Sequence, residues 1–108
     1  MANLIQNNDQ TIKSPVTLRG SPMDLSNVTG ALYELFDKTR TTVLITKTLG
    51  SGITVIDSDI FINITKTDIE DLTGKYYHEL TIEDAVEGRS TVFKEFKNVD
   101  PTFSGAII

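Results

Sequence analysis

The stretch KYYHELTIED, residues 75–84, decides how this chain is read. Tyr76, His78, Leu80 and Ile82 fall at even spacing, with Tyr77, Glu79, Thr81 and Glu83 between them. A period of two is that of a β-strand, whose successive side chains point to opposite faces. His78 is the only histidine among 108 residues, and Glu79 follows it directly. On a strand these neighbours point in opposite directions, so they cannot work as a base and its orienting carboxylate. The pattern predicts His78 as a partly buried or rim residue with one satisfied hydrogen bond and no catalytic role.

The composition agrees with strands. Thr, Ile and Val number 15, 12 and 7 against four Ala. β-Branched side chains lose χ1 freedom in helices and pack well on a pleated surface. A chain of this length holds one hydrophobic core and hence one domain. Cysteine is absent, which leaves neither a disulfide framework nor a thiolate metal site.

Outward from the opening stretch, alternation recurs with turn residues between. QTIKSPVTL (10–18) reads as an edge strand broken at Pro15, because proline cannot donate to a ladder. RGSPMDLS (19–26) supplies a turn in which Asp24 can bond the backbone two residues on. In NVTGALYELFD (27–37), Leu32, Glu34 and Phe36 share one face and Ala31, Tyr33 and Leu35 the other. TVLITKTL (42–49) is a further strand, GSG (50–52) a hairpin turn or bulge, and ITVIDSDIFINITK (53–66) two short strands about DSD. Thr67 and Glu70 have the spacing of a capping box and Gly74 that of its stop, which predicts one short helical turn near 67–73. KYYHELTIED, AVEG and RSTVFKEFKNV then read as a hairpin. Seven or eight strands with turns at this spacing predict an all-β domain, an immunoglobulin-like antiparallel β-sandwich, over residues 10–99. Residues 1–9, polar and Asn-rich, read as a flexible N-terminal arm, and 100–108 as a C-terminal tail.

Charge and motifs exclude several function classes. The net charge is −5, and ten Lys and Arg are scattered singly among fifteen carboxylates, so no nucleic-acid partner is expected. No apolar run reaches the roughly 20 residues that span a bilayer, and MANLIQNNDQ lacks the basic and apolar regions of a signal peptide, so neither a membrane role nor export by that route is expected. No GxSxG elbow or phosphate-binding loop occurs, and no enzymatic activity is expected. Asp57, Asp59, Asp68, Glu70 and Asp71 match no EF-hand spacing and fall short of the oxygens that calcium takes, so neither a metal nor another cofactor is expected.

Three short pieces carry a resemblance: Pro22-Met23-Asp24-Leu25-Ser26, Gly52-Ile53-Thr54-Val55, and Leu72-Thr73-Gly74-Lys75-Tyr76-Tyr77 leading into HELTIED. Together with the order of strands and turns over about 10–99, they resemble the small β-sandwich modules of tailed-phage structural gene clusters. The nearest family is the N-terminal domain of phage baseplate upper proteins. The resemblance implies a structural or adaptor protein of a virion, in the tail, baseplate, neck or head accessory parts. Such a subunit assembles in the host cytoplasm as a homo-oligomer with other virion proteins and carries no chemistry. A ligand- or carbohydrate-binding sandwich on a virion or cell surface is the alternative. For either, the candidate contact residues are Tyr77, Glu79 and Thr81 on one strand face, and Phe103, Ile107 and Ile108 in the apolar tail.

Overall fold

The structure, a computed structural model, describes residues 3–6 and 8–101. It is all-β apart from one turn of helix. Among the described residues ten strands run in chain order: β1 (Leu4–Ile5), β2 (Gln10–Pro15), β3 (Thr17–Leu18), β4 (Ser21–Pro22), β5 (Val28–Phe36), β6 (Val43–Leu49), β7 (Gly52–Ile56), β8 (Asp59–Ile64), β9 (Gly74–Asp84) and β10 (Gly88–Asp100). The helical turn α1 (Lys66–Ile69) lies between β8 and β9. Eight strands form one hydrogen-bonded run in the order β1-β10-β9-β5-β6-β7-β8-β2, and β3 and β4 form a separate ribbon. The sheet is therefore one curled, nearly barrel-like ladder, which differs from two separately bonded sheets.

Gly50 and Gly52 produce that continuity. Both take positive φ, +84° and +97°. Thr48 and Ser51 exchange backbone hydrogen bonds at 3.0 and 2.8 Å, and the Gly50 N–H donates to Ile53. The loop turns the chain through a corner, so Thr48 and Leu49 pair in parallel with Gly52 and Ile53. GSG is thus no hairpin: β6 pairs with β5 on one side of the corner and β7 with β8 on the other. Gly52 has a second reason to lack a side chain, since a Cβ there would meet Lys47 Cδ at 2.5 Å.

The core is a single cluster to which both parts of the curled sheet contribute. Tyr33, Leu35, Ile45, Leu80 and Ile82 come from the β5-β6-β9 side, and Ile12, Ile53, Ile60, Ile62 and Ile64 from the β2-β7-β8 side. The alternation predicted for β5 and β9 holds, with Ala31, Tyr33 and Leu35, and His78, Leu80 and Ile82, turned inward. Pro15 ends β2, and Asp24 Oδ1 accepts from the Ser26 N–H at 3.0 Å.

Two expectations shift. The capping box is Thr65 with Asp68, at 3.2 and 2.9 Å, in place of Thr67 with Glu70, and the helical turn ends at Ile69. The spacing of Thr to a carboxylate three residues on occurs twice here, and the earlier copy places Ile69 in the core with no exposed surface. Leu4 and Ile5, read as part of a flexible arm, form β1 along the end of β10, and Leu4 is buried. Gln10 then ties the two extremes of the strand order together. Its Oε1 accepts from the Ile5 N–H at 3.0 Å and its Nε2 donates to the Ile5 carbonyl at 2.8 Å, imitating a ladder pair. Among the described residues no helix is long and apolar enough to cross a membrane.

Candidate functional site

β5, β9 and β10 lie side by side and carry a three-ring cluster on each face. On the inner face stand Tyr33, His78 and Phe93. Register places Tyr33 and Phe93 both opposite Leu80, with His78 diagonal to each. The His78 ring meets Phe93 at 4.6 Å between centroids and Tyr33 edge-on at 5.6 Å. His78 has no exposed surface.

The polar atoms of this cluster define its chemistry. Tyr33 Oη lies 3.0 Å from His78 Nδ1. On the other side of the ring, Nε2 faces Glu95 Oε1 at 3.6 Å and makes no hydrogen bond. Tyr33 Oη and His78 Nδ1 share one hydrogen bond, whose donor is set by the imidazole tautomer. Burial, followed by the charge of Lys97, pushes the imidazolium down to about 4 against the attraction of Glu95. Burial holds the Tyr33 hydroxyl well above its ordinary value and lowers the ammonium of Lys97, itself 5% exposed. Neutral imidazole and neutral phenol give a polar clamp between β5, β9 and β10, with His78 itself out of contact with solvent. His78 is thus more deeply buried than the sequence predicts, with the one satisfied hydrogen bond that the sequence does predict.

On the outer face Phe36, Tyr77 and Phe96 stand directly opposite one another. The Tyr77 ring meets Phe36 at 6.3 Å and Phe96 at 5.4 Å. Two cations cover the row: Arg40 lies 4.5 Å from the Tyr77 centroid and Lys75 4.5 Å from that of Phe96. Asp37 places Arg40. Its carboxylate accepts from the Thr41 and Thr42 N–H groups at 2.8 and 3.3 Å and from the Thr41 hydroxyl at 2.9 Å. Those bonds, the Thr41 N–H first, hold the Asp37 carboxyl below its usual range, and they close a turn in which Arg40 takes a φ of +63°. Tyr77 is consequently buried although it faces outward, whereas Phe96 is 52% exposed. Glu79 and Thr81 follow Tyr77 on this face, half-buried, with Glu79 between Glu34 and Lys94. The remaining candidates, Phe103, Ile107 and Ile108, lie outside the described residues.

Sequence reasoning did not find Tyr33, Glu95 and Lys97 as the surroundings of His78, or Phe36, Phe96 and Arg40 as the cover of Tyr77. Alternation in RSTVFKEFKNV does put Phe93, Glu95, Lys97 and Val99 on one face. Their alignment to β9 depends on a bulge between Thr91 and Phe93 that no residue pattern marks.

The third feature is an edge. β10 is bonded to β9 along its whole length, but among the described residues its other side meets a strand, β1, only at Val99 and Asp100. Between the free part of β10 and the β2–β3 segment the curled sheet stays open. The seam is a groove of about 190 Å³ with an apolar wall of Val16, Leu18, Met23, Ile82 and Val92 and a polar one that includes Asp84 and Glu87.

The acidic residues weighed for a metal are dispersed in use. Asp59 faces Lys13 at 3.8 Å, Asp57 takes a turn φ of +55°, and Asp68 caps α1 and pairs with Lys47 at 2.8 Å. Among the described residues no three His, Asp or Glu side chains come together as metal ligands would. No protein-family model matches this chain, and neither a curated protein nor a solved structure was found that matches it.

Proposed function

We propose that this protein is a non-enzymatic structural or adaptor subunit of a tailed-phage particle, working through protein–protein contacts with other virion proteins and with its own copies. The observation that carries this reading is β10, the longest strand, whose edge from Gly88 to Asn98 has no strand beside it among the described residues. Such an edge presents unpaired N–H and C=O groups to any extended segment that reaches it. The outer face of the same strands adds a broad surface with one exposed aromatic ring. The resemblance to phage β-sandwich modules implies a position in the tail, baseplate, neck or head accessory parts. On this reading the fold is immunoglobulin-like, the β5-β6-β9-β10 and β2-β7-β8 portions acting as the two layers of a sandwich.

Mass spectrometry of purified particles tests it. The reading requires the chain at a fixed stoichiometry in the virion and loss of infectious particles when its gene is removed. Particles that lack the chain, or assemble unchanged without it, sink the reading. A carbohydrate-binding role has one observation in its favour, the open ring of Phe96. A glycan-array signal abolished by Phe96→Ala would replace the structural reading with that one.

A further inference from the structure

We propose that the open seam of the curled sheet is an acceptor for a strand donated by a second copy of this chain, residues 102–108, with the ring of Phe103 in the groove. The inference rests on the reading of the protein as an assembling subunit and names the surface and its occupant.

The free edge of β10 has two unlike halves. Downstream, Glu95 and Lys97 point inward with Phe93 and Val99, and β1 covers Val99 and Asp100. Inward charges on an edge strand oppose the addition of a neighbour, because pairing would strip them of water. Upstream, from Gly88 to Phe93, the inward residues are Gly88, Ser90 and Phe93, opposite Asp84, Ile82 and Leu80. This half carries no inward charge of its own. Asp84, across from Gly88, is already engaged, its carboxylate accepting from the Val86 and Glu87 N–H groups at 2.8 and 3.0 Å. The groove opens beside this upstream half.

The size of the groove selects the side chain. Its volume is about 190 Å³. A cavity of about 150 Å³ has room for benzene, so this groove has room for a phenyl ring against its apolar wall of Val16, Leu18, Met23, Ile82 and Val92, while Asp84, Glu87 and Thr91 form a polar wall beside it. Residues 102–108 read TFSGAII, with no charge and no proline. When extended, Phe103 and Ile107 share a face, which offers one ring for the groove and one aliphatic chain along the β3 side.

Reach decides that the donor is another copy. Thr91 lies nine residues before Asp100 on β10, about 30 Å away at strand rise. Phe103 follows Asp100 by three residues and extends at most about 10 Å from it. The ring therefore cannot reach the groove of its own chain. Donor and acceptor sit at opposite ends of β10, so the contact is head-to-tail and makes a ring or a filament according to the rotation between subunits.

The test uses the full chain and a chain lacking 102–108. Light scattering after size exclusion should show concentration-dependent oligomers for the full chain and monomers for the shortened one. A fluorescent PTFSGAII peptide should bind the shortened chain by anisotropy. Phe103→Ala in the peptide should weaken binding about tenfold or more, as truncation of a central aromatic anchor does. Val92→Glu in the acceptor should do the same; if that variant fails to unfold cooperatively, Ser90→Lys, at an inward position that is still open to water where it lines the groove, replaces it. Leu44→Asp, on β6, should leave binding unchanged. Equal oligomerisation of both chains, or peptide binding indifferent to both acceptor substitutions, overturns the proposal. The outcomes separate from those of the functional reading. A chain present in particles with no tail–groove contact loses only this inference, and a chain that pairs in this way but is missing from particles loses only the phage reading.

Discussion

The two three-ring clusters of β5, β9 and β10 sit back to back, their members within three residues of one another on each strand, and invert the usual distribution of polarity. Inside are a phenol, an imidazole and one phenyl ring, with Glu95 and Lys97 at the margin. Outside are two phenyl rings and a phenol, flanked by the guanidinium of Arg40 over Tyr77 and the ammonium of Lys75 over the partly open ring of Phe96. His78 is fully buried and Tyr77 nearly so, for different reasons. His78 is enclosed by the curl of the sheet and hydrogen-bonded to Tyr33. Tyr77 is enclosed by its direct cross-strand partners and by one loop. Burial on the inner face is thus a property of the whole fold, whereas on the outer face it is local.

The contrast can be broken from either side. Removing the inner phenol ring should cost most: Tyr33→Ala is expected to destabilise the domain by about 3–5 kcal/mol, the range for losing a large buried aromatic, measured by urea unfolding. A loss near 1 kcal/mol would mean that the inner cluster is not a packed unit. Acid should come next. Unfolded imidazole takes its proton near 6.5, while buried His78 takes one only near 4. Its contribution is therefore fully present above pH 6.5 and lost as the pH falls toward 4, by at most about 3 kcal/mol. His78→Gln should flatten this part of the stability profile, and an unchanged slope would put the imidazole in water. Tyr33→Phe keeps the ring and strands Nδ1, for about 1–3 kcal/mol. On the outer face, Phe96→Ala and Arg40→Ala should each cost about 1 kcal/mol or less, because both groups remain in contact with water. A loss from Arg40→Ala equal to that from Tyr33→Ala would erase the distinction between the faces.

How much of this was legible in the sequence differs by scale. The facing of Tyr76 to Ile82, the faces of Ala31 to Phe36, the hairpin after Asp84 and the turn at Asp24 all follow from period and local turn chemistry. The helix was legible only approximately, because Thr65 and Thr67 offer equivalent boxes and burial of Ile69 chooses between them. GSG shows where local reading stops. Two glycines permit both a hairpin and a corner, and only the packing of β7 onto β8 selects the corner. The candidate contact residues divide in the same way. Tyr77, Glu79 and Thr81 share the outward face that alternation assigns them, but the cover over Tyr77 comes from Phe36, Phe96 and Arg40, remote in sequence.

The sequence by itself determined the β-character, the absence of disulfides, the acidic charge and the opposite facing of His78 and Glu79. Each depends on residue type or on spacing within one segment. Tertiary structure alone decided that Glu95 and Tyr33 meet His78, that Leu4 and Gln10 close one end of the curled sheet, and that β10 keeps an open edge beside a groove with one apolar wall. These are matters of strand order and register, which arise from the simultaneous burial of all inward faces and which no single strand encodes.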